Sequence, residues 1–401
     1  MVTPLPPERT GIADYVAVLL PSLAQHFQVD LYTTAKVEDT GSLQRGFVVR
    51  PWQELEAHRA EYAHVVYQFG NSPFHSHMVD LLDRVPGIVV LHDFFLSSML
   101  AYMDKHQGYK GVFKAELERS HGSEALEVLM LHGPREASRR YPASRRIIER
   151  AVAVIVHSEH AGELRVRFYP DMRSQAWHKV AMPQTPVAQL DEDDRRELRA
   201  RLGVDESDFL VISLGFMADT KLNHVLLAAM ADGRLRADGS LRLTFVGERD
   251  MRSYGKALDR QIAGLDIGDR LSITGFVDAD RYQDYLAAAD CAVQLRTRSR
   301  GETSKAVHDC MSHALPTIVN DYASLAELPD DCVSKVPADV DATELAEALY
   351  RLRQDPLRRA VIGMLGKYHM TSHHLAHLVA AQYAQVIERS LAMPTRAGSA
   401  D

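Results

Sequence analysis

FLVISLGFMADTKLNHVLLAAM, residues 209–230, passes from an apolar run interrupted only by Ser213 through a short polar turn into a segment with the apolar spacing of a helix. A strand buried on both faces shows no polar alternation, which is how the strands of a parallel sheet read. The helical segment that follows supplies the crossover that parallel neighbours require. Residues 209–230 therefore predict one strand–turn–helix unit of an α/β sheet, with Lys221 where the helix begins.

The same unit repeats in both directions. Downstream lie LRLTFVGE (241–248), LSITGF (271–276), CAVQL (291–295), PTIVND (316–321) and CVSKVP (332–337). Upstream lie VDLYT (29–33), HVVYQF (64–69), GIVVLHDF (87–94) and AVAVIVHS (151–158). Between the two sets, AMPQTPVAQLDEDD (181–194) breaks the alternation with two prolines and an acidic cluster, and it reads as a linker. Two consecutive Rossmann-like domains are expected, 1–183 and 190–366. TSHHLAHLVAAQYAQVIERSL (371–391) reads as a long helix capped at Thr371 or Ser372, and the tail MPTRAGSAD (393–401) as disordered. Only Met1-Val2-Thr3 precede Pro4-Leu5-Pro6-Pro7, so the first strand is either stunted or begins upstream.

At 401 residues, 46% apolar and 25% charged, the chain is long enough for two domains with full cores. Its three cysteines have no zinc-binding or CxxC spacing, which argues against a disulfide framework or structural zinc and fits a reducing compartment. No apolar run approaches a bilayer span and the N-terminus has no signal-peptide core, so a cytoplasmic protein is expected. The net charge of −8 argues against broad nucleic-acid binding and makes any phosphate recognition a local matter.

Ligands of open α/β sheets sit beyond the carboxyl ends of the strands. That rule selects the loop Pro4 to Asp14, Asn71, His92-Asp93, Lys221, Gly275-Phe276-Val277, and the arginines Arg296, Arg298 and Arg300 that lead into Gly301-Glu302-Thr303-Ser304. A turn of small residues at a helix mouth exposes amides without partners, which suits an anion. Lys221, Arg296 and those amides would together surround a diphosphate. Asp278-Ala279-Asp280 and Asp339-Val340-Asp341 match a metal-binding DxD pattern, but each precedes a helical pattern where Asp caps. GxGxxG is absent, which counts against a nicotinamide enzyme. The arginines at 135, 139, 140, 145, 146 and 150, with Glu136 and Glu149, carry a local charge of +4; they read as a solvated helix face or as a peripheral contact with anionic lipid.

PLPPERTGIADYVAVLLP (4–21), YQFGNSPFH (67–75), PGIVVLHDF (86–94), ITGFVDADRYQDYLAAAD (273–290), LRTRSRGETS (295–304) and the terminal helix together resemble glycosyltransferase family 4, across nearly the whole chain. The resemblance implies the GT-B fold, two facing Rossmann-like domains with parallel sheets, in which the final segment, 370–392, crosses back to the N-terminal acceptor domain. The first three pieces look like a subgroup of bacterial O-antigen, capsule and exopolysaccharide clusters. By position, Thr10-Gly11 would approach the donor phosphates, His92 the transferred sugar, Lys221 the diphosphate, and the backbone of Phe276 and Val277 the nucleotide base. Asn71 and Asp93 would lie on the acceptor side. The usual pair of glutamates eight positions apart is altered: the second position is Asp309, the first is Gly301, and Glu302 is displaced by one. Phe216 stands where an arginine is usual, and Arg296 is expected to replace that cation.

The resulting expectation is a retaining hexosyltransferase of surface-polysaccharide synthesis, working in the cytoplasm or at the inner membrane. Its donor would be GDP- or UDP-linked, with GDP-mannose the first guess, and its acceptor a saccharide or lipid-linked saccharide. No metal or other cofactor would be required. His92, Lys221, Arg296 and Glu302 would be catalytic, with Thr10, Gly11, Phe276, Val277, Gly301, Thr303, Ser304 and Asp309 binding the donor. The alternative is a catalytically degenerate subunit that binds within a polysaccharide-assembly complex.

Overall fold

Every strand pair in the computed structural model is parallel. The structure describes residues 1–8, 10–265 and 267–392, so the expected disordered tail lies outside the described residues. In chain order the strands are β1 (Asp30–Thr33), β2 (Val48–Pro51), β3 (Val66–Phe69), β4 (Ile88–Leu91), β5 (Val154–Val156), β6 (Trp177–Lys179), β7 (Phe209–Leu214), β8 (Leu241–Val246), β9 (Leu271–Ile273), β10 (Cys291–Gln294), β11 (Thr317–Asn320) and β12 (Ser334–Val336). They divide between two compact units. The first comprises Met1–Pro183, Arg300–Thr303 and the chain from His374 onward; the second comprises Gln184–Ser299 and Ser304–His373.

In the first unit Val2 bridges Tyr32 of β1 and Tyr67 of β3, so the sheet runs β2-β1-Val2-β3-β4-β5-β6. The short opening strand is thus a single bridging residue, held by Val2 N–H to Val66 O (2.8 Å) and Gln68 N–H to Val2 O (3.0 Å). Both faces are covered. Val89, Leu91, Val154 and Val156 enter one apolar cluster, while Ile88, Val90, Ala153 and Ile155 enter the other. That double burial is why these strands read as continuous apolar runs.

The second unit has the order β12-β11-β10-β7-β8-β9, with strands one and four of the unit adjacent at its centre. The order reverses between β7 and β10, and the crevice beyond their carboxyl ends is where ligands bind in such sheets. Asp278 and Asp341 cap the helices Ala279–Ala288 and Ala342–Gln354, the latter with Glu344 in a reciprocal capping box.

Three expectations are corrected. The strands β2 and β6 have no counterpart among the apolar runs: VVRP and WHK are short and only partly buried at the sheet edges, where neighbouring strands rather than side-chain pattern define them. The final helix does not begin at Thr371 or Ser372. A helix runs unbroken over Pro356–His373 and the next spans Ala376–Ala392. The Thr371 hydroxyl donates back to Lys367 O (3.0 Å), which lets a threonine sit inside a helix, while the break is pinned by His374 Nδ1–H to Met182 O (3.0 Å). The acidic end of the linker is already helical: Asp191 caps Glu192–Arg201 by accepting from Asp194 N–H.

Candidate functional site

The second unit builds a cationic cluster at its switch point. After β7 the chain turns through Gly215 at φ +91°, where a Cβ would collide with Lys221 Nζ. A Cβ at Gly247, after β8, would strike the Gly215 carbonyl, so the two loops run in backbone contact. This packing folds Lys221 inward, and its ammonium donates to Leu214 O at 2.9 Å. Burial, with a smaller push from Arg296, lowers the Lys221 pKa to about 7.

Arg296 lies past β10 on the other side of the switch point. Its guanidinium donates to Leu295 O (2.9 Å) and to Ser304 Oγ (3.4 Å). The buried Asn320, at the end of β11, clamps its backbone by accepting from Arg296 N–H (2.8 Å) and donating to Arg296 O (2.7 Å). Ser304 is the N-cap of the helix Lys305–Ser312, and its side chain makes no capping bond to the first amides. Asp309, expected to bind the donor, is buried; it takes two bonds from Lys305 Nζ (2.9 Å each) and one from Tyr282 OH (2.9 Å). Burial raises the Tyr282 pKa, so the phenol remains a donor. Phe276, beyond edge strand β9, and Phe216 are exposed, while Val277 packs against an apolar cluster.

The first unit gathers a different set. β4 and β5 pair Val90 with Ile155, and the same register carried two residues further sets His92 beside His157. Their ring centroids lie 5.0 Å apart, and Tyr15 meets His92 edge-on at 4.6 Å. His92 Nε2–H donates to Gln68 Oε1 (2.7 Å), His75 Nδ1–H to Gln68 O (2.8 Å) and His157 Nδ1–H to Val180 O (2.9 Å). Burial depresses all three imidazoles: His75 to about 3, His157 to about 4, and His92 well below its usual value with His157 and His75 adding to the effect. All are neutral at pH 7. The buried Nε2 of His157 and of His75 has no hydrogen-bond partner.

Asp93 accepts from Asn71 N–H (2.8 Å), and Asn71 Oδ1 accepts from Met99 N–H (2.9 Å). Burial and then Glu302 push the Asp93 pKa up to about 6. Thr10 caps the helix Gly11–Leu23, accepting from Ile12 N–H, and no atom crowds Gly11.

The turn at 301–304 is divided. Arg300–Thr303 form part of the first unit, with Arg300 O accepting from Phe94 N–H (2.7 Å), Ser158 Oγ donating to Gly301 O (3.4 Å) and Thr303 Oγ1 donating to His157 O (3.2 Å). Gly301 sits at φ +85° with no room for a side chain, since a Cβ would lie 2.6 Å from Phe94 Cβ. Glu302 curls back to accept from Arg300 N–H. Ser304, by contrast, belongs to the second unit with Arg296 and Lys221.

Several residues of these clusters were not singled out from the sequence, His157, Asn320 and Gln68 among them. His157 follows β5 as His92 follows β4, so the strand-end rule applied to AVAVIVHS would have found it. Asn320 ends TIVN at the same level. Gln68 lies inside its strand, and nothing in the local pattern marks it. The arginine run at 135–150 is less bare than its sequence suggests. Arg139 and Arg140 pair with Glu136, Arg145 with Glu149 and Asp171, Arg146 with Asp80, Asp83 and Glu116, and Arg150 with Asp83.

Residues 208–355 match the family model described as glycosyl transferases group 1. No curated protein matches the chain by sequence. Among solved structures it is similar to HepE of Anabaena in complex with UDP (TM-score 0.68, 16% identity, 97% of this chain and 99% of that one). It is also similar to sucrose-phosphate synthase of Thermosynechococcus elongatus (0.65, 18%, 96% and 94%). A third likeness is to WaaG, a glycosyltransferase involved in lipopolysaccharide biosynthesis (0.61, 14%, 96% and 99%). The chain therefore has the GT-B glycosyltransferase fold, and the switch point of its second unit lies within the segment that matches glycosyl transferases group 1.

Proposed function

We propose that the chain is a retaining hexosyltransferase that uses a nucleoside diphosphate sugar and a saccharide or lipid-linked saccharide acceptor in surface-polysaccharide synthesis. The observation that carries this reading is the cationic cluster of Lys221, Arg296 and the helix start at Ser304, all on the second unit's switch point. Breaking the bond between an anomeric carbon and a diphosphate needs chiefly stabilisation of the negative leaving group. Lys221 and Arg296 supply that charge, so no metal is assigned to the reaction. A donor phosphate oxygen takes the acceptor's proton as the acceptor attacks from the same face, which needs no enzyme nucleophile.

The first unit's cluster is assigned to the sugars. His92 is neutral and oriented by Gln68, while Asp93, Asn71 and Glu302 offer hydroxyl partners. HepE was solved with UDP and with UDP-glucose, which favours a UDP-linked donor over the GDP-mannose suggested by subgroup resemblance. Thermal-shift titration with UDP, GDP, ADP and dTDP, followed by their sugar conjugates, tests the donor side. Stabilisation by one base family is expected, and none by any would sink the reading. Turnover should persist in EDTA; complete loss restored by Mg²⁺ or Mn²⁺ would refute the metal-free assignment.

A second reading, a nucleotide-binding subunit without turnover, draws on the acidic positions. Gly301 carries no carboxylate, Glu302 bonds its own loop, and Asp309 is taken by Lys305 and Tyr282. Tight nucleotide binding without sugar transfer or donor hydrolysis, across a panel of acceptors, would favour it.

A further inference from the structure

The helix Pro356–His373 is apolar on two opposite faces. Its inner face seats Ile362, Gly363, Gly366 and Met370 in the second unit, close enough that a Cβ at Gly363 would strike the Ala314 carbonyl. Its outer face carries Leu357, Val361, Met364 and Tyr368 at 74%, 40%, 60% and 68% exposure. At roughly 100° per residue these four fall within an arc of about 60°, opposite the inner set. They form a stripe about 17 Å long at 1.5 Å per residue. Large apolar side chains lined up in water mark an interaction surface.

The charges beside the stripe decide what covers it. Arg358 flanks it on one side and Lys367 on the other, and no Asp or Glu occurs from Pro356 to Ile387. Asp355, just ahead of the helix, is engaged by the Arg358 amide, and Asp331 interacts with His369. A second copy of this helix would bring like charges together with no acid to pair them, which disfavours self-association. An anionic bilayer surface matches both features: acyl chains take the stripe, and phosphates take the basic flanks. Among the described residues no helix is long and apolar enough to cross a membrane, so the element lies on the surface.

We propose that the outer face of Pro356–His373 docks the protein on an anionic lipid bilayer, with Leu357, Val361, Met364 and Tyr368 in the interface and Arg358 and Lys367 at the headgroups. These residues are distinct from Arg139, Arg140, Arg145, Arg146 and Arg150, which pair with carboxylates, and from the Lys221–Arg296 cluster.

Co-sedimentation of the full chain with phosphatidylglycerol-containing vesicles, against pure phosphatidylcholine, tests it. Binding to the anionic vesicles that weakens with salt is expected. The triple variant Leu357→Ser, Met364→Ser, Tyr368→Ser should lower that binding at least about tenfold while keeping the wild-type melting temperature. Arg358→Glu with Lys367→Glu should abolish the preference for anionic lipid, with the stripe intact. No binding to anionic vesicles, or equal binding by the triple variant, overturns the proposal. A doubled mass by light scattering that the triple variant restores to a monomer also overturns it, because the stripe would then be covered by a second copy.

Discussion

Lys221 shows how burial can tune one side chain. With its pKa at about 7 it is half protonated at neutral pH, because burial and Arg296 oppose the charge. A bound diphosphate would bring the opposite charge and raise that pKa, so binding takes up a proton. Nucleoside diphosphate affinity should hold below pH 7 and fall by up to about tenfold per pH unit above it. Calorimetry at pH 8 in buffers of different ionisation enthalpy checks this; absence of proton uptake would remove Lys221 from the phosphate site. Lys221→Ala should reduce kcat by at least ~100-fold, the scale of losing one transition-state donor. Near wild-type turnover would overturn that role. At Gly301 the positive φ and the approach of Phe94 leave no space for a side chain. Gly301→Ala should cost about 1–3 kcal/mol in denaturant unfolding, and Gly301→Glu should likewise lower stability rather than raise activity.

At the scale of elements, the switch point of the second unit depends on a clamp between two strand ends. Asn320 bonds both backbone groups of Arg296 and also donates to Ala338 O at 2.9 Å, so it ties the loops after β10, β11 and β12. Asn320→Ala leaves these buried groups unpartnered, at a cost of roughly 1–3 kcal/mol. Nucleoside diphosphate affinity should fall as the Arg296 loop loosens, and chemical denaturation with nucleotide titration measures both effects. Unchanged affinity with reduced stability would make Asn320 purely structural. The legibility of elements followed their burial. All ten apolar runs became strands, and in the central ones double burial writes itself into the side chains. The edge strands β2 and β6 are defined by their partners, and the helix through Thr371 by a back-bonded hydroxyl, neither of which a local pattern displays.

For the whole molecule, the first unit is completed by the end of the chain. Val379, Ala380, Tyr383, Val386 and Ile387 enter the same apolar cluster as Tyr15, Val16, Leu19 and Leu20, and the buried Tyr15 and Tyr383 share a hydrogen bond of 2.6 Å. Truncation after His373 would expose that cluster. At about 1.5–3 kcal/mol for each large buried side chain, the loss is on the order of 6 kcal/mol or more. The truncated chain should lose its native melting transition, or show only that of the second unit, by calorimetry. A full-height transition at the original temperature would contradict this accounting.

The amino-acid sequence by itself determined the α/β class, the parallel strands and the strand ends where His92, Lys221 and Arg296 emerge. It could do so because burial on two faces and helix-start chemistry are local, periodic properties. Only the tertiary structure decided that Arg300–Thr303 join the first unit while Ser304 stays with the second. It also decided that Asp309 is spent on Lys305 and Tyr282, and that Arg145, Arg146 and Arg150 pair with acids distant in the chain. Those outcomes depend on contacts between residues far apart in the chain, and hydrogen bonding and charge pairing at that range leave no periodic trace in the sequence.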